Sequence, residues 1–269
     1  MRIGILGPLE VRDTGGQLVP VGGARLRGFL IRLVISGGRP VPVDRLAEDL
    51  WAADLPADPA NAVQALVSRV RGVTGRDTVE HGPAGYRLAV PPGEVDAWAF
   101  EQLVATARGL LADGDNAGGA AALRRALGMW RGPALADVAD APFAAATIAR
   151  LSELRLAALE DRIDADLELG HGADLVPEIK EAATAHPLRE RLRGQLMRAL
   201  YAAGRQADAL GVYEDTRRAL ASSLGVDPSP ALASVHLAIL RGELPTGPAA
   251  EVVRTPEPLP AAAPTCPRS

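Results

Sequence analysis

The chain has 269 residues, 48% apolar and 23% charged, enough to bury a sizeable core as one large domain or two ordinary ones. Aromatics make up only 3%, so Leu, Val and Ala must supply the core through many small helical contacts, which disfavours an all-β architecture. The single Lys, Lys180, precedes Glu181 rather than Ser or Thr, which excludes a P-loop, and the single Cys, Cys266, excludes a disulfide framework or thiolate metal cage within the chain.

The opening MRIGILGPLEV has neither the charged start nor the continuous apolar stretch of a secretory signal, and no run of about 18 apolar residues follows. A cytoplasmic protein without a membrane partner is expected. Residues 2–23 carry β-compatible runs, Arg2–Leu6 and Leu18–Val21, broken by Gly7-Pro8 and Gly15-Gly16, which predicts a small antiparallel meander. Leu26, Phe29, Leu30, Leu33 and Val34 then make a helical stripe that stops at Gly37-Gly38. A second short helix is predicted from about Asp44 to Trp51. A third is announced by Asp58 as cap and Pro59 at the first helical position, with Val63, Leu66, Val67 and Val70 on one face. Thr78–Leu88 reads as strand, Gly/Pro tip, strand.

Pro91-Pro92-Gly93 interrupts the chain, and helices are predicted near 96–112, 117–130, 142–169, 173–185, 189–203, 205–222 and 230–241. Gly170-His171 and Gly204-Arg205 each separate two helical stretches at an interval of 34 residues, the tetratricopeptide period. Gly114 marks a further turn of the same kind, 56 residues before Gly170, which requires an insertion. From Pro245 to Ser269 there are 7 Pro in 25 residues and no periodic apolar face, so this stretch reads as a tail or linker. The expected domains are therefore 1–93, 94–243 and a tail over 244–269. Charge divides at the same place: residues 1–93 carry 11 Arg against 9 acidic residues, and residues 94–269 carry 18 basic against 24 acidic, a basic module ahead of an acidic one.

The third helix carries the functional signal. At about 100° per residue, with the Val face inward, Asn61, Ala65, Ser68 and Gly72 point outward, flanked by Gln64 and Arg69. Amides bond bidentately to adenine and Arg to guanine, while small residues allow close approach to a major groove. No Asp or Glu stands between Pro59 and Arg76, where a carboxylate would repel phosphate. Thr78, His81 and Arg87 on the hairpin, and Arg25, Arg27 and Arg39 near the first helix, are candidates for backbone or minor-groove contact.

Enzymatic readings find no support. His81, His171, His186 and His236 show no paired zinc spacing, no G-x-S-x-G elbow is present, and Asp164/Asp166 and Glu160/Asp161 fit the solvated side of a long helix. No catalytic residue, metal site or cofactor is expected.

Val67-Ser68-Arg69-Val70-Arg71, with Gly85-Tyr86-Arg87-Leu88 at the hairpin, resembles the winged helix-turn-helix of OmpR-type regulators. The opening Gly4–Val11 is similar to the first strands of the Streptomyces antibiotic regulatory proteins. Asp96-Ala97-Trp98, Trp130–Leu135, His186–Glu190, Ala199–Tyr213 and Leu224–Ser229 resemble the bacterial transcriptional activator domain. The resemblance spans about residues 2–243. It implies a mainly α protein with a small β part, an N-terminal winged helix-turn-helix followed by an all-α tetratricopeptide-like domain. It further implies an activator of secondary-metabolite genes that binds direct repeats in promoter DNA, with a second protomer side by side, and recruits RNA polymerase holoenzyme through its sigma factor. Carried over by position, Asn61, Gln64, Ser68 and Arg69 face DNA, Arg71 flanks them, and Thr78 and His81 lie at the wing. The wing loop His81–Gly85 reads as somewhat longer than the OmpR-type version. A protein-binding scaffold that has lost DNA contact, and a repressor built on the same module, are the competing readings.

Overall fold

The computed structural model describes residues 1–52 and 54–244, so the predicted tail lies, from residue 245 onward, outside the described residues. The chain divides into two compact units, Met1–Leu169 and Gly170–Ser269, and residue 93 falls inside the first.

The first unit opens with a two-stranded antiparallel sheet, β1 (Arg2–Gly4) against β2 (Glu10–Arg12), with Ile3 opposite Val11. The meander predicted to use Leu18–Val21 as its second strand instead uses Glu10–Arg12. Leu18 makes a single bridge to Arg12 and is exposed, while Val19 donates to the Val11 carbonyl at 2.8 Å and packs with Val21 against the core, so the run is held there without extending the ladder. Helices α1 (Ala24–Ile35), α2 (Val43–Trp51) and α3 (Pro59–Thr74) follow, then a hairpin of β3 (Val79–Gly82) and β4 (Gly85–Leu88).

The core under these elements is aliphatic. Phe29, Leu30, Leu33 and Val34 of α1 meet Leu46 of α2, Val63, Leu66, Val67 and Val70 of α3, and Val79, Tyr86 and Leu88 of the hairpin, all buried. Each such side chain stabilises the fold by roughly 1.5–3 kcal/mol.

Three further helices complete the unit: α4 (Asp96–Ala112), α5 (Asn116–Leu127) and α6 (Pro142–Glu168). Gly114, at φ +84°, makes the turn between α4 and α5, its N–H donating to the Leu111 carbonyl and that of Asp115 to Leu110. Trp130 is held at the end of this hairpin edge-on to Phe100 (5.4 Å between ring centroids), with the Arg155 guanidinium 4.7 Å over its ring.

The N-terminal loop is sewn to this helical part. Asp96 Oδ1 and Oδ2 accept the N–H groups of Ile5 and Leu6 at 2.8 and 3.1 Å, and Arg131 Nη2 donates to the same carboxylate at 2.9 Å. Arg131 Nη1 donates to the Pro8 carbonyl at 2.9 Å, its own N–H goes to the Leu6 carbonyl, and Leu135 N–H goes to Ile5. Asp137 Oδ2 accepts from Leu9 N–H at 2.6 Å. Gly4 permits this seam, since a Cβ there would lie 2.3 Å from Arg131 Nη2. A basic–acidic change in composition at residue 93 thus coincides with a tightly bonded joint, and the compact unit runs past it.

The second unit stacks α7 (Gly172–Ala185), α8 (Glu190–Ala202), α9 (Gln206–Leu224) and α10 (Pro230–Arg241), with α8 in contact with the other three. The turn at Gly204 (φ +73°) repeats the bonding at Gly114: Gly204 N–H to Tyr201, Arg205 N–H to Leu200. Gly170, 34 residues before Gly204, shares its positive φ (+85°), so the 34-residue spacing marks a recurring helix-ending glycine. Glu190 Oε2 accepts from Ser229 N–H at 2.7 Å, so His186–Glu190 and Leu224–Ser229 fasten the starts of α8 and α10 together.

Candidate nucleic-acid interface

Helix α3 begins where its sequence directs. Asp58 Oδ1 accepts Asn61 N–H at 3.0 Å, Pro59 occupies the first turn at no cost in hydrogen bonds, and Gly75 at φ +102° ends the helix. With Val63, Leu66, Val67 and Val70 buried, Asn61, Gln64, Ala65, Ser68, Arg69 and Gly72 are left exposed.

The hairpin stands beside this face. Its register pairs Val79 with Leu88 and Gly82 with Gly85, so Pro83 and Ala84 alone form the tip. The wing loop read as longer than usual is therefore a tight turn, because Gly82 and Gly85 are taken into the strand ladder. Gly85 is obligatory: its φ is +115°, and a Cβ would stand 2.0 Å from the Val41 carbonyl oxygen. That proximity lets Tyr86 exchange hydrogen bonds with Val41 (3.0 and 2.8 Å), which mounts the wing on the start of α2.

An open cleft of 670 Å³ lies between α3 and the wing, lined by Gln64, Ser68, Arg71, Arg76 and His81 over Val67, Gly72 and Tyr86, without a carboxylate. His81 leans against Tyr86, ring centroids 4.6 Å apart. Of the predicted residues the cleft gathers Gln64, Ser68, Arg71 and His81. Asn61 and Arg69 share the exposed side of α3 outside its lining.

Two residues have structural work instead. Arg71 is half-buried and donates from Nε and Nη2 to the Val79 carbonyl at 3.0 and 2.6 Å, tying the end of α3 to the first wing strand. Thr78 is only 7% exposed, its hydroxyl donating to the Thr74 carbonyl at 2.8 Å, so it faces inward rather than towards a ligand.

The remaining arginines are dispersed. Arg87 is paired with Glu80 across the wing, Nε to Oε2 at 2.8 Å. Arg27 pairs with Asp137 at 2.7 Å, Arg25 lies 5.0 Å over the Trp51 ring, and Arg39 donates to the Ser36 carbonyl at 3.0 Å. Sequence reasoning missed Arg76, an exposed cation in the cleft. Its signal was the acid-free run itself, which ends on that residue.

No described helix is long and apolar enough to cross a membrane, and among the described residues no group of three or more His, Cys, Asp or Glu is placed to hold a metal ion.

Known regulatory proteins match this chain over most of its length. The family model of the bacterial transcriptional activator domain matches residues 95–240. DnrI, a regulatory protein of Streptomyces peucetius, is 36% identical over 254 residues, which cover 90% of this chain and 93% of DnrI. The chain belongs to the Streptomyces antibiotic regulatory protein family of transcriptional activators.

Other members of the family are larger. The regulatory protein AfsR of Streptomyces griseus is 39% identical over 243 residues, but these make up 25% of AfsR and 90% of this chain, so the chain spans about a quarter of that relative. A solved structure of Mycobacterium tuberculosis EmbR, in complex with a low affinity phosphopeptide, superposes with a TM-score of 0.84 at 33% identity, covering 90% of this chain and 65% of EmbR. The N-terminal winged helix followed by a helical domain is thus shared with a family member of known structure.

Proposed function

We propose that this activator works by binding duplex DNA through the α3–wing cleft, at direct repeats near a promoter, with two protomers side by side. The observation that carries the reading is the cleft lined by Gln64, Ser68, Arg71, Arg76 and His81 with no carboxylate, beside an exposed α3 face that is equally free of acid. The N-terminal part of α3 enters the major groove, where Asn61, Gln64 and Arg69 meet base edges and Ser68 and Gly72 allow the approach. Arg76 and His81 lie towards the flanking backbone and minor groove, and Arg71 fixes the angle between reading helix and wing. Each good bidentate contact discriminates by about 1–3 kcal/mol, too little for one module, so a second protomer on an adjacent repeat supplies the remaining affinity and the spacing requirement.

The helical part then faces RNA polymerase holoenzyme and its sigma factor. Its pairs of charged side chains on exposed helix faces, such as Arg217 with Glu214, suit a polar protein interface rather than a nucleic acid. The regulated genes are those of antibiotic or other secondary-metabolite biosynthesis, in keeping with the family. The test is selection of a preferred duplex from a random library with the full chain, then run-off transcription by purified polymerase from templates carrying that site in tandem. Stimulation is expected. Repression assigns the chain the opposite sign, and failure to select any sequence leaves a protein-binding scaffold.

A further inference from the structure

We infer that Asp96, Arg131 and Asp137 are positioning residues for activation: they hold α3 and α4–α6 as one rigid piece, so that the DNA site fixes where the polymerase-facing helices stand. This rests on the reading above, in which the chain binds promoter DNA through α3 and meets polymerase through its helical part.

The stretch between the wing and α4 is where independent movement would be expected. Pro91-Pro92-Gly93 separates a basic stretch from an acidic one, and a linker of that kind ordinarily lets two modules swivel. Here the connection is bonded instead. Val95, the residue just before α4, is buried and pairs with Ile3 in a parallel bridge.

Two attachments then act at different points. At the first, the Asp96 carboxylate accepts the N–H groups of Ile5 and Leu6, and Arg131 reaches that carboxylate, the Pro8 carbonyl and Glu10 Oε1 at 2.9, 2.9 and 3.0 Å. At the second, Asp137 Oδ2 accepts Leu9 N–H while Oδ1 pairs with Arg27 Nε at 2.7 Å. Arg27 belongs to α1, which packs against α3, so this attachment reaches the DNA-reading helices themselves. One attachment leaves rotation about itself, and a second on another element removes it. Apolar contact is non-directional and permits sliding, whereas hydrogen bonds prefer particular angles; the polar seam therefore sets an orientation that the aliphatic core does not. A surface held in advance in one orientation meets its partner without the cost of ordering. Neither Arg131 nor Asp137 lines the α3–wing cleft, so both can be changed without touching what reads DNA.

The experiment is run-off transcription with the full chain on templates whose selected tandem site stands at its best position, or is displaced upstream by about 5 bp or about 10 bp, half a turn and a full turn of duplex. Wild type should lose stimulation about fivefold at the half turn and regain most of it at the full turn, because a rigid piece presents its helices on one face of the DNA. Arg131→Gln and Asp137→Asn, singly and together, should bind the selected duplex within about twofold of wild type, which also shows that the reading head is folded. The ratio of in-phase to half-turn stimulation should fall towards one in the double variant, with each single variant in between. A seam that only adds stability lowers every template by the same factor and leaves that ratio alone. An unchanged ratio in variants that still bind overturns the assignment, and so does wild-type stimulation that ignores phase. Failure of the wild-type chain to select any duplex is a distinct result: it removes the DNA reading, and this role of the seam with it.

Discussion

The cleft beside α3 and the seam around Asp96 treat polar groups in opposite ways. At the seam, one carboxylate accepts two backbone N–H groups and an Arg, and that Arg also holds a carbonyl of the same loop, so the polar atoms of Ile5–Pro8 are committed within the protomer. Along α3, Asn61, Gln64, Ser68 and Arg69 stand exposed on a helix that is closed only at its ends, by Asp58 and by the Arg71–Val79 tie. A reading surface needs donors and acceptors still available to a partner, and it needs a mount that does not yield when the partner binds. The two regions divide those tasks, and the division gives each a different response to mutation.

The largest effect is expected at the seam. Asp96→Ala leaves two backbone N–H groups and Arg131 without their acceptor in a part-buried site, and should lower the stability of the first unit by about 3 kcal/mol or more, read as a lower midpoint in denaturant unfolding. An unchanged midpoint would show that the joint is ornamental and that residues 1–93 fold on their own account. Next is the wing mount. Gly85→Ala forces a Cβ into the Val41 carbonyl and should cost about 2–3 kcal/mol, with weakened DNA binding that follows from displacement of the hairpin.

Intermediate effects belong to the reading face. Gln64→Ala and Arg69→Ala should each weaken binding to the selected duplex by about 1–3 kcal/mol while leaving thermal stability within about 0.5 kcal/mol, since neither side chain is buried. Arg71→Ala should sit between the classes, losing about 1–2 kcal/mol of stability through the Val79 carbonyl and weakening all duplexes alike. The smallest is Arg76→Ala: a nearly uniform loss across sequences and a salt slope shallower by about 1, measured by anisotropy titration at several salt concentrations.

The elements themselves were readable because periodicity, caps and glycines agree. The helix over Asp96–Ala112 and the start of α3 fall where Pro91-Pro92-Gly93 and Asp58-Pro59 place them. β-compatible side chains do not by themselves set the extent of a strand: pairing at Leu18–Val21 stops at the Leu18–Arg12 bridge, whereas Glu10–Arg12 pairs along all of Arg2–Gly4. The compact unit extends past residue 93 for a reason composition does not record: Asp96 and Arg131 look like ordinary surface charges until the chain brings Ile5–Pro8 against them.

On the site, helical phase was enough to expose Asn61, Gln64, Ser68 and Arg69 together. It was not enough for Thr78 and Arg71, because their partners, the Thr74 and Val79 carbonyls, depend on how the end of α3 turns into the wing. Carboxylates that occupy Arg27 and Arg87 lie across a fold contact, at Asp137 and Glu80, and one-dimensional spacing carries no trace of the first.

Whether the acid-free side of α3 reads base edges is decided by binding of the Gln64→Ala/Arg69→Ala double variant to the selected duplex and to a scrambled duplex of the same length, at one salt concentration. The preference for the selected duplex should fall by at least about tenfold while scrambled-duplex affinity changes little. An undiminished preference in a folded double variant contradicts it and places sequence recognition elsewhere on the protein.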